Sequence, residues 1–174
     1  MSFTLGKRIM IIGSGGSGKS TLARRLGEIL ALPVIHLDKE FWQPGWIATP
    51  KEEWYEKQKN LISKPEWIAD GNFGGSLEIR LEKADTVIFL DFNRFVCMRS
   101  VIKRWLTNIG KTRPDMTDGC PEKIDFEFLK WVWQFPLKSR PDIVEKVAKY
   151  ENPELIVIKN RKKLKQFIKE IIPA

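Results

Sequence analysis

Residues 8–30 read RIMIIGSGGSGKSTLARRLGEIL, and they say more about the architecture than any other part of the chain. Their centre fits the pattern G-x-x-x-x-G-K-[ST], which forms a loop whose backbone N–H groups surround a phosphate at the start of a helix. The context that this pattern needs is present, because an apolar segment, 8–12, precedes it and a segment with helical apolar spacing, 21–30, follows it. We therefore expect a buried strand, a phosphate-binding loop and a helix, in that order.

The loop also predicts a role for individual side chains. Lys19 carries a positive charge that can reach the β- and γ-phosphates of a nucleotide, and the Ser20 hydroxyl is placed to bind Mg²⁺. The expected ligands are thus a nucleoside triphosphate and Mg²⁺. The residues predicted to bind the nucleotide are Gly13, Ser14, Gly15, Gly16, Ser17, Gly18, Lys19, Ser20 and Thr21.

The length and the cysteine and histidine content limit the class of protein. A chain of 174 residues fits a single domain, 1–174. No apolar run approaches the ~18 residues of a membrane span and no cleavable leader is evident, so we expect a cytoplasmic protein with no membrane partner. Cys97 and Cys120 lack metal-ligand spacing and are predicted to be buried or half-buried thiols without a disulfide. His36 is the only histidine; its place at the end of a strand is more typical of a structural role.

A net charge of +8 favours an anionic partner, either a nucleotide or a nucleic acid. Much of the excess lies near the C-terminus, where basic residues alternate with apolar ones at helical spacing. This pattern favours an amphipathic closing helix with a solvated basic face over a dedicated nucleic-acid surface, so we expect binding to nucleic acid to be weak. The basic residues of this segment are Lys159, Arg161, Lys162, Lys163, Lys165 and Lys169.

Apolar runs recur along the chain at intervals typical of an α/β protein. Besides 8–12 they are 33–37, 67–69, 86–90 and 155–158, and each is followed by a helical pattern. The runs TVIFL and ELIVI lack the alternation of a half-exposed strand, as expected when helices cover both faces of a sheet. We therefore predict a five-stranded parallel sheet flanked by helices.

Two insertions do not belong to this minimal sheet. The first, 41–62, contains Trp42, Trp46, Trp54 and Tyr55 and is expected to pack over the carboxyl edge of the sheet near the phosphates. The second, 107–140, begins with a Gly/Pro-rich loop and continues as a helix over about 122–135, which gives it the position of a lid. The aromatic residues of that helix favour a core or lid-hinge role over base stacking; they are Phe126, Phe128, Trp131, Trp133 and Phe135.

Together with the loop, four further stretches carry a resemblance to a known family: HLDKEFWQPGW, WIADGNF, RLEKADTVIFLD and TRPDMTDGCPEKIDFEFLKWVWQFP. The chain resembles the adenylate-kinase-like branch of P-loop kinases, and most closely the bacterial family of DNA topology modulation proteins. The resemblance covers nearly the whole chain. It implies the P-loop nucleoside-triphosphate hydrolase fold with a lid, and an ATP- and Mg²⁺-dependent phosphotransferase.

The resemblance implies a metal site and a set of cations. Asp70 corresponds to the acidic residue that holds Mg²⁺ together with Ser20, and Asp91 is its rival for that role or else a helix N-cap. Arg99, Arg104 and Arg113 are expected to close over the transferred phosphoryl group, with Arg140 as a further candidate and Lys103 as a solvated neighbour. Arg99 and Lys103 share a face of the helix and Arg104 projects about 140° away from Arg99, so a straight helix cannot bring all three to one phosphate.

The acceptor side departs from adenylate kinase. An arginine that would hold a monophosphate is absent after Asp70, where Gly74 and Gly75 follow instead, so AMP is not favoured. Asp38 ends the second predicted strand and corresponds to the carboxylate that orients a hydroxyl in kinases resembling shikimate kinase. Arg80 is a second acceptor-binding candidate or, alternatively, an exposed arginine paired with Glu78 or Glu82.

Two functions follow from these expectations. The first is a kinase that transfers phosphate from ATP to a nucleotide or small molecule, with the acceptor unassigned. The second is an ATP-binding regulatory protein that modulates DNA topology directly or through a partner, without phosphorylating a small molecule. The two differ in whether a small acceptor or DNA stimulates ATP turnover.

Overall fold

The structure, a computed structural model, describes residues 4–123 and 125–171. Five strands form one parallel sheet in the order β2-β5-β1-β6-β7, and two short strands form an antiparallel hairpin, β3-β4. The predicted five-stranded parallel sheet is confirmed. The strands are β1 (Arg8–Gly13), β2 (Val34–His36), β3 (Trp42–Gln43), β4 (Ile47–Ala48), β5 (Trp67–Asp70), β6 (Thr86–Leu90) and β7 (Glu154–Ile158).

Helices cover both faces of the sheet. They are α1 (Lys19–Leu30), α2 (Leu37–Phe41), α3 (Lys51–Ile62), α4 (Leu77–Leu81), α5 (Arg94–Asn108), α6 (Phe126–Gln134), α7 (Ser139–Ala148) and α8 (Arg161–Glu170), with a 3₁₀ turn at Gly74–Ser76. None of the helices in the described ranges is long and apolar enough to cross a bilayer.

Alternate residues of the central strand β1 point into two separate hydrophobic cores. Ile9 and Ile11 belong to the core that α1, α5 and α8 cover, whereas Met10 and Ile12 belong to the core on the other face, which α3, α4 and α7 cover. Because both faces are covered, β1, β5 and β6 are almost wholly buried. The expectation that ELIVI is covered in the same way is wrong, because β7 lies at the edge of the sheet and most of its residues are exposed. Cys97 and Cys120 are free and buried, as predicted.

The register of the sheet places polar residues together at one edge. Asp70 pairs with Ile11 of β1 on one side and with His36 of β2 on the other. Since the carboxyl ends of parallel strands meet at the same edge, Gly13, His36 and Asp70 lie where the phosphate-binding loop begins.

Two boundaries differ from prediction. The helix predicted over about 122–135 begins only at Phe126, because the Asp125 side chain caps it by accepting the Glu127 N–H, and Glu122 forms an isolated bridge with Ile109 instead. Asp38 does not end the second strand: β2 stops at His36, and Asp38 lies in the first turn of α2.

Candidate active site

The phosphate-binding loop takes the backbone shape that its glycines permit. Gly13, Gly16 and Gly18 have φ angles of 149°, 77° and 95°, in the region that favours glycine. A Cβ at Gly13 would lie 2.6 Å from the carbonyl oxygen of Leu90. Gly18 is the N-cap of α1 and supplies no side-chain hydrogen bond, so the N–H groups of the first helical turn point toward an incoming anion. This geometry fits a nucleotide phosphate.

Lys19 lies folded against the loop. Its Nζ donates to the carbonyl oxygens of Gly13 and Ser14, both at 2.9 Å. Desolvation lowers the pKa of Lys19 from its ordinary value, and the charges of Asp38 and Asp70 oppose that shift. The ammonium group is thus held beside the loop with two carboxylates in electrostatic range.

Ser20 and Asp70 form an oxygen pair next to the loop. Ser20 Oγ donates to Asp70 Oδ2 at 2.6 Å, and His36 Nδ1 lies 2.5 Å from Asp70 Oδ1. Mg²⁺ in proteins is held by one or two carboxylates together with substrate phosphates and water, so a hydroxyl and a buried carboxylate beside a phosphate loop fit this ion. Sequence reasoning did not connect His36 with Asp70; the order of the parallel strands, which brings β2 beside β5, was the missing signal.

Asp91, the rival metal ligand, lies in a different environment. Arg140 Nε and Nη2 each contact one of its carboxylate oxygens at 2.9 Å, and neither residue lines the cavity described below. The pKa of Arg140 is raised by this hydrogen-bonded carboxylate. The N-cap interpretation of Asp91 is wrong, because Asn93 caps α5 by accepting the Phe95 N–H.

A cavity of about 920 Å³ opens beside the loop, near the top of the roughly 300–1,000 Å³ range of small-molecule sites. It brings together five of the predicted site residues from four parts of the chain: Lys19, Ser20, Asp38, Arg104 and Arg113. Asp38 is exposed to the open cavity. The protein atoms that crowd its carboxyl raise its pKa by desolvation, and the nearby charge of Lys19 opposes that shift. Asp38 on α2 and Lys19 of the loop thus line the same cavity.

Two residues predicted to act in the site lie outside the cavity lining. Arg99 is exposed on α5, on a different side of the helix from Arg104. Arg80 is 0% exposed and donates to the carbonyl oxygens of Gly71 and Asn72. Burial lowers its pKa to about 9. The alternative of an exposed arginine paired with Glu78 or Glu82 is wrong, since α4 turns this side chain inward.

Arg80 instead supports the phosphate-binding loop through Asn72. The Asn72 amide accepts the Gly13 N–H at 2.9 Å and donates to the Gly13 carbonyl at 2.7 Å. Because Arg80 holds the backbone at Gly71 and Asn72, it fixes the position of this amide at the start of the loop.

Two of the cavity-lining arginines, Arg104 and Arg113, are already paired with carboxylates. Arg113 contacts Asp115 at 2.7 Å and Glu122 at 2.6 Å, and Arg104 contacts Glu122 at 3.1 Å. Both carboxylates are buried, and Arg24 approaches Asp115 at 3.7 Å. Desolvation and the charge of Arg113 lower the pKa of Arg104. A phosphoryl group that enters the cavity must therefore compete with Asp115 and Glu122 for these guanidinium groups.

The hairpin β3-β4 is hydrogen-bonded to the loop 109–123, and we call this set of contacts the latch. Thr117 Oγ1 lies 2.6 Å from the Lys39 carbonyl oxygen and 2.7 Å from that of Trp42. Further contacts join the Gly45 N–H to the Gly119 carbonyl at 2.9 Å and the Cys120 thiol to the Gln43 carbonyl at 3.2 Å. The latch thus joins the two insertions beside the cavity.

Helix α6 divides its aromatic residues between three environments. Phe135 is buried, whereas Phe126 and Trp133 are 77% and 42% exposed. Phe128 and Trp131 line the cavity. A Cβ at Gly15 would lie 2.6 Å from Phe128 Cζ, so α6 packs directly on the phosphate-binding loop.

Comparison with known proteins identifies the fold. A scan against protein-family models and a search of curated proteins gave no match. Among solved structures, shikimate kinase from Acinetobacter baumannii, in complex with shikimate, shares 14% identity over 93% of this chain and 88% of its own, with a TM-score of 0.58. Shikimate kinase from Bacteroides thetaiotaomicron shares 18% identity over 93% and 94%, with a TM-score of 0.56.

A gluconokinase from Sinorhizobium meliloti shares 13% identity over 97% of this chain and 90% of its own, with a TM-score of 0.54. These three neighbours match the sheet and its flanking helices over almost the whole chain. Together with the glycine-rich loop between β1 and α1, they show that this chain has the fold of the P-loop kinases.

Proposed function

We propose that this protein is an ATP- and Mg²⁺-dependent phosphotransferase that phosphorylates a hydroxyl group of a small acceptor. The observation that carries the proposal is that Asp38 and Lys19 line one cavity within electrostatic range of each other. A carboxylate is suited to orient an acceptor hydroxyl, and the lysine is suited to hold the phosphate that the hydroxyl attacks.

Each residue of the proposed site has its own role in phosphoryl transfer. The acceptor oxygen bonds to the γ-phosphorus as the bond from that phosphorus to the β,γ-bridging oxygen breaks, which releases ADP. The hydroxyl proton passes to the Asp38 carboxylate and from there to solvent. Lys19 and the loop N–H groups stabilise the phosphate charge. Arg104 and Arg113 exchange their carboxylate partners for phosphate oxygens, and the loop 109–123 excludes water.

Ser20 and Asp70 are the residues that would hold Mg²⁺. When bound, the ion neutralises charge on the phosphate oxygens. His36 contacts the Asp70 oxygen that Ser20 does not contact, so it orients the carboxylate toward the hydroxyl.

Support from outside the site is consistent with this proposal. The structural neighbours are named as kinases of shikimate and gluconate, which are hydroxylated small molecules. The motifs that resemble the DNA topology modulation proteins include the loop, Asp38 and Asp70, all of which belong to the proposed machinery. Both resemblances support the proposal of a small-molecule kinase.

A coupled assay of ADP formation tests the proposal. Purified protein is given Mg-ATP with and without a panel of nucleosides, nucleoside monophosphates and small hydroxylated acids. At least one acceptor is expected to stimulate ADP formation, and Lys19→Ala is expected to abolish that stimulation because the phosphate charge loses its partner. Lys64→Ala, an exposed lysine outside the cavity, is the control. Normal turnover by Lys19→Ala would overturn the assignment of the loop.

A further inference from the structure

The acceptor side of the cavity carries a continuous aromatic surface. Trp42, Trp46 and Phe73 line the cavity, and we call these three residues the aromatic wall. The Trp42 and Trp46 ring centroids are 5.5 Å apart. Behind the wall, Phe41 contacts Trp42 at 4.9 Å and Phe73 at 5.0 Å. Trp54 completes this backing, at 4.9 Å from Phe73 and 5.2 Å from Phe41.

Two of the three residues of the aromatic wall adopt a backbone conformation that such side chains rarely take. Trp46 has a φ of 63° and Phe73 a φ of 42°. Such backbone strain persists where the surrounding structure enforces it, often at ligand-binding positions. Here the Trp46 indole N–H donates to the Pro121 carbonyl at 3.3 Å, which ties the strained residue to the latch.

Asp38 lies beside this wall. It precedes Trp42 by four residues, and the Trp42 N–H donates to the Asp38 carbonyl at the end of α2. Trp42 follows α2 directly as the first residue of β3, and both Asp38 and Trp42 line the cavity. One acceptor molecule can therefore place a hydroxyl group at Asp38 and an aromatic ring against Trp42.

Three cations near the aromatic wall are already engaged by other groups of the chain. Arg80 is withdrawn beneath Gly71 and Asn72, and Arg113 is paired with both Asp115 and Glu122. The Lys123 ammonium lies 4.9 Å from the Trp46 ring centroid, in a cation–π contact. Asp38 itself repels a carboxylate or a phosphate monoester.

From these contacts we infer that the acceptor is an uncharged molecule in which a flat ring, bound by the aromatic wall, carries a hydroxylated arm that reaches Asp38. A nucleoside has this chemistry. The inference rests on the proposed function and specifies the substrate class of the same site. Stacking of a base on an aromatic side chain contributes enough that removing one ring weakens binding by about ten-fold.

Calorimetric binding of nucleosides and of their 5′-monophosphates to the Mg-ADP-bound protein tests the inference without requiring turnover. Nucleosides are expected to bind more tightly than the matching monophosphates. Trp42→Leu and Trp46→Leu are each expected to weaken nucleoside binding about ten-fold. The control is Trp133→Leu, because Trp133 is half exposed on α6 and contacts Phe95 and Arg94 instead of the cavity. Thermal melting of each variant establishes that it is folded.

The outcomes separate this inference from the proposed function. Tighter binding of monophosphates, or equal nucleoside binding by Trp46→Leu and the parent protein, would overturn the inference, as would the absence of nucleoside binding. If a monophosphate binds and Lys123→Ala abolishes that binding, the acceptor is an anion held by Lys123. Nucleoside binding that depends on the aromatic wall but leads to no phosphoryl transfer would support the inference and contradict the proposed function.

Discussion

Asp70 and Asp91 each follow a buried strand, yet their surroundings give them different roles. Asp70 is contacted by a hydroxyl and an imidazole beside the phosphate-binding loop, so its carboxylate is suited to binding a cation. Asp91 accepts three hydrogen bonds from the Arg140 guanidinium, and this ion pair joins the end of β6 to α7. The partner of each carboxylate, and not its place at a strand end, separates a metal ligand from a structural ion pair.

We predict that Asp70→Asn raises the Mg²⁺ concentration needed for half-maximal ATP turnover by about ten-fold or more, because the amide cannot neutralise the cation. Asp91→Asn is expected to leave the Mg²⁺ requirement unchanged and to lower the free energy of unfolding by about 1 kcal/mol, since Arg140 loses a partly exposed partner. Mg²⁺ titrations and thermal melts of both variants check this. The reverse pattern would transfer the metal role to Asp91.

The raised pKa of Asp38 predicts a pH dependence. The carboxylate must be ionised to accept the acceptor proton, so activity is present above its pKa and is lost as pH falls through it. Because desolvation raises that pKa, the acidic limb of kcat/KM is expected at a higher pH than the ordinary pKa of an aspartate would give.

A pH profile of kcat/KM checks this prediction, with Asp38→Asn as the comparison. The variant is expected to lose most activity and, in what remains, the acidic limb. An identical limb in Asp38→Asn would assign the titration to another group.

At the scale of the secondary-structure elements, the short helix α4 fixes the position of the segment that directly precedes it. Its buried Arg80 holds the backbone of Gly71 and Asn72, and Asn72 in turn holds Gly13. We predict that Arg80→Met lowers kcat while the KM for the acceptor stays nearly constant, because the residue positions the phosphate-binding loop and does not touch the acceptor.

Lys83→Met, an exposed substitution just after α4, is the control for Arg80→Met. Steady-state kinetics with the acceptor varied separate the two parameters. A large rise in acceptor KM with kcat preserved would return Arg80 to a substrate-binding role.

The elements also show what sequence could predict. The strands β1 and β6 were predictable because unbroken apolar runs have few alternatives when helices cover both faces of a sheet. The order of the strands was not, and with it the contact between His36 and Asp70 was missed. The inward turn of Arg80 and the outward turn of Arg99 depend on how each helix is rotated against the sheet, which charge and spacing alone do not determine.

At the scale of the whole molecule, the +8 charge is dispersed. Many basic side chains are paired with carboxylates, among them Lys7, Arg8, Lys57 and Arg140. Four neighbouring groups on α8 form a concave surface; they are Arg161, Lys162, Lys165 and Lys169. This surface can contact a few phosphates and presents no element that reads base edges.

We predict weak binding of duplex DNA that falls with salt at a log–log slope of about −3 to −4, which corresponds to roughly four phosphate contacts. The double variant Lys162→Ala and Lys165→Ala is expected to reduce the slope by about 2. Titrations by fluorescence anisotropy between 50 and 200 mM salt measure this. Sequence-selective binding that persists at physiological salt, together with DNA-stimulated ATP turnover, would instead favour the regulatory function.

The latch joins the two insertions, so we expect a single opening of the site to admit and release both substrates. Because the hairpin beside the acceptor is hydrogen-bonded to the loop beside the nucleotide, we expect the two insertions to move together when substrates enter. The frequency of this single motion then sets a ceiling on the turnover rate, and both products leave through the same opening. Thr117→Val, which removes the hydroxyl but keeps the shape of the side chain, is expected to raise that ceiling and also the rate at which water replaces the acceptor, measured as ADP formed without acceptor. An unchanged ratio of hydrolysis to transfer would show that the two insertions open independently.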